Sequence, residues 1–208
     1  MKDEEDYIRN ISEMRSLMER SSKFLSLSGL AAIMAGIYAL AGAGIFYRFF
    51  YFNPADIIYN ATLPESISTK LPKAILLATI ILILAINTTI FLSYKKANLR
   101  REQFQTPVAK QVLLSMTVPL VAGGLLILIL ISKGLISLMA PLSLLFYGIA
   151  LYNAGRFTYG EIKSLGLIQV ALGVISSYFV EYGSLFWVTG FGIVNIIYGI
   201  YIHYKYER

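Results

Sequence analysis

Charged residues divide the chain into six stretches that contain no Asp, Glu, Lys or Arg: 24–47, 74–94, 111–132, 134–155, 164–180 and 182–204. A bilayer hydrocarbon core about 30 Å thick takes about 20 apolar helical residues to cross. The pattern predicts an all-α, polytopic membrane protein: a six-transmembrane-helix bundle with spans near 24–47, 74–94, 111–132, 134–155, 161–180 and 184–204. These spans occupy well over half the chain, so residues 24–208 are expected to form one transmembrane domain.

Residues 1–23 follow a different rule. Tyr7, Ile11, Met14 and Met18 recur at helical spacing, with Ile8 and Leu17 widening the stripe. Acids at the start suit a helix dipole, and Arg15 and Glu19 stand at i,i+4. An amphipathic cytoplasmic helix is expected here. It is read as lying on the inner leaflet, packing under the bundle or forming a short self-association seam. Eleven charges in these 23 residues do not match a cleavable secretory signal, so the first span is expected to act as an uncleaved anchor.

Hydrophobic residues make up 57 % of the chain and mean hydropathy is +0.65, which agrees with the pattern. The net charge of +6 has a topological explanation. With the N-terminus inside, fourteen Lys and Arg fall on the inner side. Only Arg48, Lys70, Lys73 and Lys133 fall outside. That bias places both termini in the cytoplasm, and the inner membrane of a bacterium is the expected location. It also removes any need for a nucleic-acid partner. Lys95, Lys96, Arg100 and Arg101 are placed to meet anionic lipid headgroups.

Local signals mark the boundaries. Phe49, Phe50, Tyr51 and Phe52 suit the membrane–water interface, and Asn53-Pro54 reads as the start of a short helix near 54–60. Asn60-Ala61-Thr62 matches a glycosylation sequon. Pro107 is expected to open the third helix, Gly155 to close the fourth and Gly183 to end the fifth. Lys133-Gly134 should turn an antiparallel hairpin, and Thr158 to Glu161 has the capping-box pattern.

Glycines recur seven residues apart at Gly29/Gly36, Gly148/Gly155, Gly166/Gly173, Gly183/Gly190 and Gly192/Gly199. Seven residues are two helical turns, so each pair notches one face. Such notches let helix backbones approach closely in lipid. Gly29, Gly36, Gly148, Gly166, Gly173, Gly192 and Gly199 are the expected packing positions. The surroundings of Gly29/Gly36 and Gly166/Gly173 are also alike, as in a worn internal repeat or in convergent packing.

Chemistry is sparse. The chain has no cysteine and one histidine, His203, and no acid lies within the spans to join it. No metal or cofactor is expected. Glu181 and His203 stand at opposite ends of a span, so they cannot form a catalytic pair, and no phosphate loop, nucleophile elbow or zincin motif occurs. Spans without charge argue against a proton relay. What remains is a set of uncharged polar residues at depth. Asn87, Thr117, Ser143, Tyr147, Gln169 and Asn195 are the candidates for an intramembrane polar pocket, the alternative being bonds between neighbouring helices. Pro119 and Pro141 are expected to kink the third and fourth helices, as at transporter sites.

The segments 18–24, 28–30 and 35–40, with Arg156-Phe157-Thr158, Glu161-Ile162 and the ending Tyr198-Gly199 to Arg208, resemble a family of small six-span proteins of Bacteroidota. A weaker likeness is to the HdeD-like acid-resistance membrane proteins, which also have six glycine-rich spans. The first resemblance implies an inner-membrane location and carries no known activity. The expected function is a non-enzymatic accessory, sensory or structural membrane component, acting through its helix faces and N-terminal helix as a homo-oligomer or with a membrane-protein partner. The alternative is a carrier or binder of a small neutral or amphipathic molecule.

Overall fold

A computed structural model describes residues 29–50, 65–99, 107–158 and 160–206. The expected helix over 1–23, the short helix near 54–60, the Asn60 sequon, Arg100 and Arg101 lie outside the described residues. Within them no strand occurs. Helix α1 is Gly29–Phe50, α2 is Glu65–Leu99 and α3 is Pro107–Ser132. A 3₁₀ turn, Ile136–Leu138, leads into α4, Met139–Ala154. Helix α5 is Gly160–Tyr178, followed by the 3₁₀ turn Val180–Tyr182. The last rod, α6, has three consecutive pieces. It is α-helical over Gly183–Trp187, π-helical over Val188–Val194 and α-helical again over Asn195–Tyr206.

Helices are what an apolar environment demands, because each backbone N–H and C=O must be satisfied within its own segment. Five stretches are long and apolar enough to cross a membrane: Gly29–Arg48, Ile75–Lys96, Pro107–Ser132, Ile136–Ala154 and Val180–Tyr206. The chain is therefore helical in the manner of an integral membrane protein. Helix α5, at 19 residues, is less apolar, because Glu161 and Lys163 occupy its first turn and Gln169 its middle.

Several boundaries differ from the sequence expectation. Helix α2 starts at Glu65 rather than near 74 and contains Pro72. Its 35 residues span roughly 52 Å at 1.5 Å per residue, more than a bilayer core requires. A charged residue marks where the apolar run ends; it need not end the helix. Pro141 falls in the first turn of α4, where the missing N–H would lack an intrahelical acceptor anyway, so it kinks nothing in the interior. Helix α3 runs from Pro107 to Ser132 with the buried Pro119 inside it. Gly183 opens α6, since α5 already ends at Tyr178.

Lys133-Gly134 does turn the α3–α4 connection. Gly134 has φ 77°, the left-handed region that glycine enters without Cβ strain. Leu135 N–H bonds to Leu130 O at 2.9 Å and Gly134 N–H to Ile131 O at 3.0 Å, the two bonds of a Schellman cap. Gly155 is different. It follows α4 with φ −62°, and its missing side chain instead makes room for Lys163, whose backbone nitrogen would lie 2.7 Å from a Cβ there.

Helix α6 is central, with α1 on one side and α4 and α5 on the other. Helix α2 joins the bundle through α1, and α3 joins it through α4. Antiparallel α1 and α6 meet through glycines: Gly29 faces Gly199, and seven residues on Gly36 faces Gly192. A Cβ on Gly29 would stand 2.6 Å from Gly199 O, and one on Gly36 would stand 2.8 Å from Gly192 O. Helices α4 and α5 meet in the same way. Cβ atoms on Gly148 and Gly166 would each stand 2.7 Å from the other's carbonyl oxygen, and one on Gly173 would stand 2.9 Å from Pro141 O. These backbone approaches are closer than any side chain permits. Leu151, Ile162, Leu165 and Ile202 fill the buried core at one end of α4, α5 and α6.

Candidate functional site

The buried polar groups gather where α4 and α5 face the π-helical turn of α6. A π turn is wider than an α turn, and such turns occur often at functional positions. Two amides bond to carbonyls of this one. Gln169 on α5 is fully buried, and its Nε2 donates to Gly190 O at 2.8 Å. Asn195, only 2 % exposed, donates from Nδ2 to Phe191 O at 3.1 Å. Tyr147 on α4 donates its hydroxyl to Asn195 Oδ1 over 3.5 Å, a long bond. Its ring lies 4.9 Å from that of Phe191, and Phe191 lies 5.0 Å from Trp187, so the turn is flanked by aromatics. A Cβ on Gly190 would press on the Leu144 side chain and stand 2.6 Å from Gln169 Oε1. Glycine at 190 is thus a condition for Gln169 to reach the backbone.

Two atoms in this region lack a partner. Gln169 Oε1 and Ser176 Oγ are both buried with no hydrogen bond among the described residues. They stand seven residues apart on α5, on the face that also carries Gly173.

Of the six candidate pocket residues, the structure brings three to this turn: Tyr147, Gln169 and Asn195. The other three bond to their own helices. Asn87 is exposed and donates to Ile83 O at 2.9 Å, Thr117 is exposed and donates to Leu113 O at 2.7 Å, and Ser143 donates to Ala140 O at 2.8 Å. The reason is general: a hydroxyl or short amide in a helix reaches the carbonyl three or four residues back, so polarity at depth does not by itself mean a pocket. Thr79, Ser115, Ser177 and Thr189 do the same. Between α1 and α2, Tyr38 and Thr88 pair their hydroxyls at 3.1 Å.

A second polar group closes one end of the bundle. Glu161, at the start of α5, accepts from Lys205 Nζ at 2.5 Å and from Tyr206 Oη at 2.8 Å, both near the end of α6. Burial pushes the Glu161 carboxyl up; the bonds from Lys205, its own backbone N–H and Tyr206 outweigh that and hold it below the ordinary carboxylate range. Thr158, the first residue of the capping-box pattern, is buried and donates to Ala154 O at 2.9 Å, tying the α4–α5 connection to α4. Sequence reasoning singled out Glu161 as a cap and Lys205 as part of the tail. Nothing along the chain joins them, and no local signal marks Val188–Val194 as π-helical.

Among the described residues no three His, Cys, Asp or Glu side chains stand together as a metal site would require. Glu181 lies in the turn before α6 and His203 near its far end, roughly 30 Å away along the rod. No protein-family model, curated protein or solved structure matches this chain.

Proposed function

We infer that the protein is a six-span inner-membrane component with both termini in the cytoplasm, a non-enzymatic accessory or structural element that acts through its helix faces. The observation that carries this reading is how its deep polar groups are used. Gln169, Asn195, Ser143, Thr117 and Asn87 each donate to a backbone carbonyl, so one donor of each is used within the protein's own helices rather than held for a ligand. Helix α5 supplies the sixth span: its charge-free stretch 164–180 packs between α4 and α6, where a lower hydropathy is tolerated. The inside-positive bias supports the orientation, and Lys95 and Lys96 with Arg100 and Arg101 would rest on anionic headgroups. Kinship with the small six-span proteins of Bacteroidota belongs to the same proposal.

The second reading, a carrier or binder of a small neutral molecule, is favoured by Gln169 Oε1, buried beside the π turn, and by Ser176 Oγ farther along α5, both without a hydrogen-bond partner among the described residues. Flux measurements on purified protein in lipid vesicles separate the two. The accessory reading expects efflux of neutral solutes no faster than from protein-free vesicles. Saturable efflux that Gln169→Leu abolishes would overturn it in favour of a carrier.

A further inference from the structure

Helix α2 is the least embedded element: among its described side chains only Ser93 is buried. Its exposed face is ordered. Leu76, Ile80, Ile83, Asn87, Ile90 and Tyr94 follow one another at alternating steps of four and three, the spacing of a heptad seam. The five apolar members are each 47–62 % exposed. Helix α1 packs elsewhere on α2, where Gly42 receives Ile81 and Tyr38 bonds to Thr88, residues one position beyond Ile80 and Asn87. Those contacts lie at b positions, turned away from the a/d seam, so among the described residues α1 leaves the apolar seam positions exposed.

Asn87 is the informative member. It lies close to the midpoint of the span Ile75–Lys96, yet its amide faces away from the bundle. Its one hydrogen bond among the described residues, Nδ2 to Ile83 O, uses a single donor. The second N–H and the Oδ1 acceptor are left toward the hydrocarbon, where backbone-like polar groups are costly to leave unpaired. An amide is complementary to itself, since each copy donates and accepts. Two copies of one helix related by a twofold axis along the membrane normal bring identical seam positions together. A single asparagine in an otherwise apolar seam also sets register and oligomer state in paired helices.

We propose that α2 is a homodimerisation helix, pairing in parallel with α2 of a second copy of this chain across the seam from Leu76 to Tyr94, with the two Asn87 amides bonded at the bilayer centre. The proposal does not depend on the choice between accessory component and carrier: either kind of protein can dimerise, and the flux assay reads neither seam nor register.

The natural absence of cysteine makes the test direct. Ile83→Cys and Ile90→Cys are introduced singly into the full chain in lipid vesicles and oxidised. Leu82→Cys on α2 and Leu128→Cys on α3, both 59 % exposed in the wild type, serve as controls. Disulfide-linked dimer is expected at least about fivefold above the controls at 83 and 90. Dimer association measured by energy transfer should fall about three- to tenfold in Asn87→Leu and be retained in Asn87→Gln. Equal crosslinking at seam and control positions overturns the proposal, as does a monomer in vesicles or an Asn87→Leu protein that pairs as well as wild type. If the seam crosslinks fail while flux stays absent, the accessory reading survives and this proposal does not.

Discussion

Gln169 Nε2 donates to Gly190 O over 2.8 Å, and the same amide's Oε1 would lie 2.6 Å from any Cβ placed on Gly190. Residues 21 positions apart in the chain are thereby fitted to one another: the glutamine needs the glycine, and the glycine's carbonyl accepts the glutamine's N–H. Gln169→Leu should lower stability by about 0.6–2 kcal/mol, the range for a polar contact between membrane helices. Thermal unfolding in mild detergent measures this. Hydrogen exchange should rise within Val188–Val194 and stay unchanged in α2, which does not touch the site.

The glycine pairs make a contrast within the chain. At Gly166 a Cβ would meet Tyr152 N at 2.5 Å and Gly148 O at 2.7 Å, whereas at Gly44 and Gly124 it would meet nothing within 4 Å. Gly166→Ala should therefore destabilise by about 1–3 kcal/mol, the usual cost of overpacking. Gly124→Ala should be neutral or stabilise by up to about 1 kcal/mol through helix propensity. Melting temperatures of the two variants, measured side by side, give the comparison.

Tyr147 and Asn195 touch over a long hydrogen bond of 3.5 Å, while Asn195 also bonds to Phe191 O at 3.1 Å. A double-mutant cycle of Tyr147→Phe and Asn195→Leu should then give a coupling energy below about 1 kcal/mol, with most of the Asn195→Leu loss persisting in the Tyr147→Phe background. Equilibrium unfolding of the four proteins supplies the cycle.

The Glu161 carboxyl titrates below its ordinary range when folded, so the sign of its pH dependence is fixed. Its contribution is full above its unfolded pKa of about 4.3 and is lost as pH falls through the lower folded value. For a partly exposed ion pair it should amount to about 0.2–1 kcal/mol. The melting temperature of wild type should exceed that of Glu161→Gln at pH 7, and the gap should close as the pH drops below about 4. A gap that persists in strong acid would mean that the ionised carboxylate is not its source.

The helical class was legible because charge-free runs of membrane length admit few other folds, and Pro107 and Gly134 stand at the element edges where local chemistry puts them. The start of α2 at Glu65 was not, since a run of apolar residues records where lipid is and says nothing about how far a helix extends beyond it. At the site the distinction is physical as well. Asn195 and Gln169 sit on helices hemmed in by glycine contacts and are buried, whereas Asn87 and Thr117 sit on flanking helices and are exposed. The residue type is the same in both amide cases, and only the packing of α1, α4, α5 and α6 tells them apart. The π turn was not legible at all, because no residue type within Val188–Val194 separates a π turn from an α turn.

That wider turn has a genetic corollary. A coil with a surplus residue between Val188 and Val194 can become an ordinary one by losing a single codon, which would leave Gly183–Trp187 facing nearly as before and close the local carbonyls into α-helical bonds. The glutamine would then reach toward a carbonyl already bonded within its own helix. Variants of this chain shortened by one position there should tolerate, or even prefer, an apolar side chain at 169, while full-length ones should reject it.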